Sequence, residues 1–359
     1  MPAEHPPTPE QGKEISLDKW LATDFKQQYE KRINTFNKLG ILEILPEQGE
    51  MGIIGIDGQE YPLPKSDADK EKLKQEMEKA GMTMEEIAEE LKKITTIEDI
   101  IRENKEAYET KLKQGFTRLQ MTPFGLPLEK LALLLEKAIV KHHREGKLFT
   151  AKDKPTDPEE KLDLNTGQPL YKWGGWIDPN APEGQRGADV TGKCVYHPRQ
   201  LTQDNHGGQT KQQILDQQRE EQSPMAGWEV KLLEANINIP RENKGQTKHN
   251  RKQLETNQSS NDYLKTLLTN PQYAREQGMT LEDWITFALS YLEENNQMID
   301  DYSGKGSACF LAGSYNLDRD VVAYAYWSRD VRRAYLGRDD PRGRGSDGGF
   351  RPAVEVKRG

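Results

Sequence analysis

Residues 306–354 read GSACFLAGSYNLDRDVVAYAYWSRDVRRAYLGRDDPRGRGSDGGFRPAV, and they contain no Lys, Glu, Gln or Met. From Met1 to Lys305 those four types supply about a third of all residues. Fixed positive charge in the stretch comes from arginine alone: Arg319, Arg329, Arg332, Arg333, Arg338, Arg342, Arg344 and Arg351. Aspartate supplies all the negative charge. Arginine suits recognition because its planar fork binds bidentately and stacks on rings. That explains why Arg is present, but not why Lys, Glu and Gln are all missing. A codon rule explains both. Every residue from Tyr315 to Gly349 except Trp327 has a codon ending in C or T.

The motifs in the same stretch point to a fold. Gly313-Ser314-Tyr315, then Arg333-Ala334, Pro341 and Gly349-Phe350-Arg351-Pro352-Ala353-Val354 occur in that order. The chain resembles the variable proteins of diversity-generating retroelements, whose C-type lectin-like domain is of the formylglycine-generating-enzyme (sulfatase-modifying factor) type. Tyr315 stands where that pattern usually has Trp. In this family an error-prone reverse transcriptase rewrites template adenines, scattering AAY asparagine codons over codons that end in C or T. The restricted alphabet is what such a process would leave. The resemblance implies a fold of short strands with two helices and a hypervariable segment over about 313–350.

Bulk properties set limits on function. The 359 residues carry a net charge of −8, with 34% hydrophobic and 31% charged side chains. That leaves enough apolar material for a core but no phosphate-neutralising basic surface, so nucleic acid is not an expected partner. No run of 18 apolar residues is present, so no membrane span is expected. The N-terminal sequence lacks the basic start and apolar stretch of a secretory signal, and a cytoplasmic location is expected. Cys194 and Cys309 are expected to be free thiols.

Pattern divides the chain. Residues 1–14 are rich in Pro and polar, an expected disordered segment. Residues 15–148 are expected to be helical, with a small hairpin. Ser16 caps an apolar stripe from Leu17 to Phe36 that Gly40 ends. Asp57-Gly58 makes the hairpin turn. The Lys/Glu-rich stretch 66–118 has helical spacing, and Leu128–Arg144 is a strongly amphipathic helix. Residues 149–161 are expected to be a linker. The remainder, 162–359, is expected to hold the lectin-like domain. In it, 209–222 reads as a polar helix, 227–233 as a strand, and 261–270 and 280–298 as helices. Thr280 caps the last of these, with Asp283 at the capping-box position. Residues 308–315, 321–327, 332–336 and 350–357 read as strands. The fold class is therefore α+β.

Catalytic and metal sites are weakly supported. The resembled oxidase uses a close pair of copper-binding thiols, and Tyr324–Arg333 contains no cysteine, so that activity is not expected to carry over. His142-His143 are adjacent and diverge on a helix. Cys194, His197 and His206 share a loop region but lack the fourth ligand of a structural zinc site. Trp173-Gly174-Gly175-Trp176 is either a sugar-stacking platform or buried packing. No cofactor, metal or catalytic residue is assigned.

The recognition reading uses Asn316, Asp318, Asp320, Tyr324, Tyr326, Ser328, Asp330, Tyr335, Gly337, Asp339 and Arg342 as ligand-binding residues. Tyr, Ser, Asn, Asp and Arg are the types from which paratopes are built, because Tyr gives large amphipathic contact at low entropy cost. Their side chains are expected to converge on one exposed face and take a macromolecular ligand, a protein. The N-terminal helices are expected to mediate assembly or attachment. The alternatives are an enzyme of the formylglycine-generating-enzyme superfamily with altered chemistry, and a structural or interaction module.

Overall fold

The computed structural model describes residues 16–148, 164–302, 306–328 and 330–358. The expected disordered start, 1–14, and the expected linker, 149–161, lie outside these residues.

The helices are α1 (Leu17–Trp20), α2 (Lys26–Leu39), α3 (Asp67–Lys79), α4 (Met84–Lys92), α5 (Ile97–Glu103), α6 (Lys105–Lys113), α7 (Leu128–Arg144), α8 (Lys211–Glu220), α9 (Ser260–Thr269) and α10 (Leu281–Asn295). A wider turn over Leu21–Phe25 joins α1 to α2. Ser16 caps α1, and Gly40 closes α2 at φ 66°, a left-handed conformation that glycine adopts freely. A small antiparallel sheet, β1 (Glu43–Ile44), β2 (Met51–Ile54) and β3 (Glu60–Pro62), contains the Asp57-Gly58 turn.

Two larger sheets form the body. The first is antiparallel, in the order β10 (Glu276–Gly278), β15 (Pro352–Glu355), β7 (Glu229–Glu234), β4 (Phe116–Thr122). The second runs β14 (Gly348–Phe350), β11 (Ala308–Asn316), β12 (Val321–Ser328), β13 (Arg333–Asp339), β5 (Leu170–Lys172), with β6 (Cys194–Tyr196) also paired to β11. A two-stranded hairpin, β8 (Thr247–Lys248) and β9 (Arg251–Lys252), completes the strands. The fold is α+β, with leading helices and a sheet-rich remainder.

Strand β4 corrects the helical reading of 66–118. Gly115, at φ 99°, breaks α6, and the chain then pairs with β7 from Phe116 to Thr122. One hydrophobic cluster therefore runs from Leu17 to Val356 and includes α7, α10 and the inner face of the second sheet. The apolar stripe Leu17, Trp20, Phe25 and Phe36 is buried in that cluster. Tyr108 Oη donates to the Glu355 carbonyl (3.1 Å), tying α6 to the C-terminal strand.

Helix α10 is fixed at its start by the expected box. Thr280 N donates to Asp283 Oδ2 (2.9 Å) and Asp283 N to Thr280 Oγ1 (3.1 Å). The Asp283 carboxylate also receives Thr122 Oγ1 (2.7 Å) and pairs with Lys231. The cap thus joins α10 to β4 and β7.

The chain changes sheets at Arg351. Phe350, 1% exposed, ends β14, stacked on Tyr263 with ring centroids 5.0 Å apart. Arg351, 3% exposed, pairs with Asp300 (2.8 Å) and donates to the carbonyls of Asn236 (2.9 Å) and Ile237. A buried guanidinium needs such partners. No helix among the described residues is long and apolar enough to cross a membrane.

Candidate functional site

Strand alternation sets the site. On β12 and β13 the side chains of Ala323, Ala325, Trp327, Ala334 and Leu336 point into the main core. The alternate positions point the other way: Tyr324, Tyr326 and Ser328 on β12, and Arg333, Tyr335, Gly337 and Asp339 on β13. On that outer face a second hydrophobic cluster, including Tyr263, Leu264 and Leu267 of α9, covers Phe310, Val322 and Phe350. Beyond it, over β12, β13 and β5, the aromatic side chains are only half-buried.

Those side chains form a ladder across the strands. Phe310 and Tyr324 are 5.1 Å apart between centroids, and Tyr324 and Tyr326 5.4 Å. Tyr326 stacks on Tyr335 at 4.8 Å with planes 3° apart, and Tyr335 lies 5.1 Å from Tyr171. Three of these contacts are direct cross-strand pairs: Phe310 with Tyr324, Tyr326 with Tyr335, and Tyr335 with Tyr171. Tyr302 adds a ring 5.0 Å from Tyr326. The Arg333 guanidinium sits 4.8 Å from the Tyr335 centroid and 5.4 Å from that of Tyr171, and donates to Tyr335 Oη. Burial, with Tyr335 and Tyr302 beside it, pushes the Tyr326 hydroxyl up to about 12. The ladder offers phenol hydroxyls and ring faces beside one delocalised cation, Arg333.

The eleven expected residues do not all converge. Tyr324, Tyr326, Tyr335, Gly337 and Asp339 share the outer face, half-buried. Ser328 shares its parity but is only 6% exposed, at the strand end where Tyr302 N bonds the Trp327 carbonyl. Asn316 is 1% exposed and has the opposite parity. Its amide donates to the Gly175 carbonyl (2.8 Å) and accepts from Arg319 N (3.1 Å), so it is a structural bracket and not a display residue. Asp320 lies in the β11–β12 turn at φ 52°, and its carboxylate takes the Tyr315 hydroxyl. A left-handed backbone and a fixed partner make it a turn residue. Asp318, Asp330 and Arg342 are exposed, on loops beside the face. Arg342 pairs with Asp340 (2.8 Å), whose carboxyl it holds below the usual range.

The glycines separate frame from display. A Cβ on Gly313 would lie 2.6 Å from the Gly278 carbonyl and 2.8 Å from Met279 backbone atoms. One on Gly349 would lie 2.5 Å from Ile239. One on Gly337 would meet only the Tyr324 carbonyl, at an ordinary 3.6 Å. Gly337→Ser is therefore expected to change stability by no more than about 0.5–1 kcal/mol. Gly313→Ala, pressed against backbone, should cost about 1–3 kcal/mol or more. Urea melts of the two variants check this, and equal losses would contradict it.

The other expected features resolve separately. Cys194 and Cys309 are both buried, and burial pushes both thiols up. His197 Nε2 bonds Glu229 (2.6 Å), and His206 Nδ1 accepts from Gly208 N (3.0 Å), so the loop histidines serve different partners. His142 joins α7 to Glu293 (2.9 Å) on α10. No group of three or more His, Cys, Asp or Glu placed to hold a metal occurs among the described residues. Trp176 is core, with Nε1 donating to the Gly337 carbonyl (2.7 Å), whereas Trp173 is half-buried.

Tyr171, Tyr302 and Arg333 belong to the face, yet sequence reasoning did not place them there. The regular spacing of Tyr324, Tyr326 and Ser328 marks one strand face, but nothing local announces that β5 will pair in parallel with β13. No protein-family profile, curated protein sequence or solved structure matches this chain.

Proposed function

We propose that this chain is a non-catalytic binding protein with a C-type lectin-like C-terminal part, presenting a diversified recognition surface to a macromolecular ligand, a protein. The observation that carries the reading is the aromatic face itself: Tyr171, Tyr302, Tyr324, Tyr326 and Tyr335 flanked by Arg333. Tyrosine and arginine dominate binding hot spots because each gives large contact area with a directional polar end. The face is a sheet surface rather than an enclosed pocket, which suits a large partner better than a small cofactor. Three of its tyrosines and Arg333 lie inside the segment of restricted alphabet.

The narrower surface replaces the eleven-residue set. Tyr324, Tyr326, Tyr335, Gly337 and Asp339 are the display positions on the sheet, and Asp318, Asp330 and Arg342 lie at its margins. Tyr171 and Tyr302 fall outside the restricted segment and would stay constant while their neighbours change.

The deciding test is at the DNA level. Expected is a near-copy of the codons for residues 313–350, differing at adenines and adjacent to a reverse-transcriptase gene. A locus holding neither would overturn the diversification reading. The display reading is checked separately. Tyr326→Ser, Tyr335→Asn and Asp330→Ala should each stay folded. The exposed Asp330 site should change stability by at most about 0.5–1 kcal/mol. The two half-buried rings should lose more, because each gives up a stacked partner, but on the order of 1–2 kcal/mol rather than a core loss. Unfolding of all three would mean that the face is core.

A further inference from the structure

We infer that a second site, separate from the aromatic face, binds a small organic oxyanion, a molecule bearing phosphate or carboxylate. The site is a cleft of about 740 Å³ at the end of the second sheet. The loop after β5 (173–193) forms one side, and the β11–β12 turn with the end of β13 forms the other. That volume is within the range of small-molecule sites. Most of its lining lies in 173–191, outside the restricted-alphabet segment, whereas Arg319 and Arg338 lie within it, so the site is a property of this chain's own residues at those two positions.

Charge is the main argument. Four cations line the cleft, Arg186, Lys193, Arg319 and Arg338, against two carboxylates, Asp178 and Asp318. Arg186 is already engaged by Glu129 (2.7 Å) and the Ala181 carbonyl (3.0 Å). Lys193 stands 3.6 Å from Asp318, both more than half exposed, a weak and screened pairing. Arg319 and Arg338 have no carboxylate within ion-pair distance among the described residues. Asp339 is near enough to Arg338 to feel its charge but makes no direct ion pair with it, so the two guanidinium groups on one concave surface leave a positive site that an oxyanion would fill.

Geometry points the same way. Asn316 holds the turn that carries Arg319, through its bonds to Gly175 and to Arg319 N. The Arg338 guanidinium lies 5.3 Å from the Trp173 ring centroid, a cation–π contact. A guanidinium over a ring can still turn its N–H edge to solvent, and that edge matches two oxygens of a phosphate or carboxylate. Trp173 then offers an apolar wall for the body of the ligand.

The test is a titration of the full chain at low ionic strength with pyrophosphate and, separately, citrate, read by tryptophan fluorescence and by calorimetry. Trp173 is half-buried beside the expected anion, so a saturable fluorescence change is expected with at least one probe. Pyrophosphate alone would assign a phosphate ligand, citrate alone a carboxylate, and both the shared chemistry. Arg319→Gln with Arg338→Gln should weaken binding at least tenfold while leaving the melting temperature unchanged, since both side chains are exposed. Trp173→Phe should abolish the fluorescence change but keep the calorimetric signal. Sodium chloride of equal ionic strength reproducing the response would overturn the site. So would undiminished binding in the double arginine variant, or no saturable signal from either probe. Tyr326→Ser should bind the probes as the parent does, which separates this cleft from the aromatic face.

Discussion

Lys211→Met is expected to lower the unfolding free energy at pH 7 by about 3–5 kcal/mol, the cost of leaving one side of a buried ion pair unmatched. Lys211 Nζ lies 2.7 Å from Asp189, 2.8 Å from Glu282 and 2.9 Å from the Leu126 carbonyl, and all three charged side chains are fully buried. Burial works against the charge on Lys211, but the two carboxylates outweigh it and hold its pKa up. Without the ammonium, two carboxylates face each other in the core. Tyr196 Oη donates to Glu282 (2.7 Å) but cannot neutralise it. Burial already raises the Glu282 carboxyl above its ordinary 4.5, and losing Lys211 raises it further. A carboxyl whose folded pKa is raised contributes stability below its unfolded pKa and loses it as pH climbs through the folded value. The deficit of the variant relative to the parent should therefore shrink as pH falls from 7 toward 4.5. Urea midpoints of both proteins at several pH values measure this. A deficit under about 1 kcal/mol, or one independent of pH, would show that the cluster is not coupled as the distances indicate. Adding Glu282→Gln should recover part of the loss, because neighbouring sites are not additive. Asp189 also belongs to the loop that walls the proposed anion cleft.

That cluster also shows where sequence reading stops. Residues 209–222 read as a polar, exposed helix, and α8 is a helix, but Lys211 is fully buried. Its partners come from a loop and from α10, and no local pattern encodes a long-range charge match. Strand β4 was hidden for a related reason. Leu112, Phe116 and Leu119 keep helical spacing, and only pairing with β7 makes the segment a strand. Where the signal is local, the reading was accurate. The stripe of α7, the Thr280–Asp283 box and the alternation of β12 each follow from side chains within a few residues of one another. The candidate site divides along the same line. The outward run Tyr324, Tyr326, Ser328 was legible from period two. Asn316 and Asp320 were misread because composition treats a polar residue as displayed. In the fold, one bonds Gly175 and the other a tyrosine hydroxyl five positions away.

Trp327→Ala is expected to cost about 3–5 kcal/mol, more than any single exchange among the outward positions of the same strand. Trp327 is 0% exposed and packs in the main core with Ala323, Ala325, Ala334 and Leu336. The small alanines beside it leave the space that the indole fills, so truncation opens a cavity that rigid strands close poorly. Trp327→Phe should cost less. Phe keeps most of the apolar volume and removes a buried indole N–H that finds no acceptor among the described residues. Thermal and urea melts of Trp327→Ala, Trp327→Phe and Tyr326→Ser should rank in that order of loss. Tyr326→Ser costing as much as Trp327→Ala would mean that frame and display have been inverted. The expected order also joins the codon rule to the fold. Trp327 is the one residue between Tyr315 and Gly349 that no codon ending in C or T can encode. It points inward, while Tyr324 and Tyr326, in the same strand and within the alphabet, point outward. Sparing the inward tryptophan would keep the bulkiest core side chain of the segment fixed, while the inward Ala323, Ala325, Ala334 and Leu336 lie within the alphabet. The stability ranking and the DNA near-copy therefore test the same division by independent means.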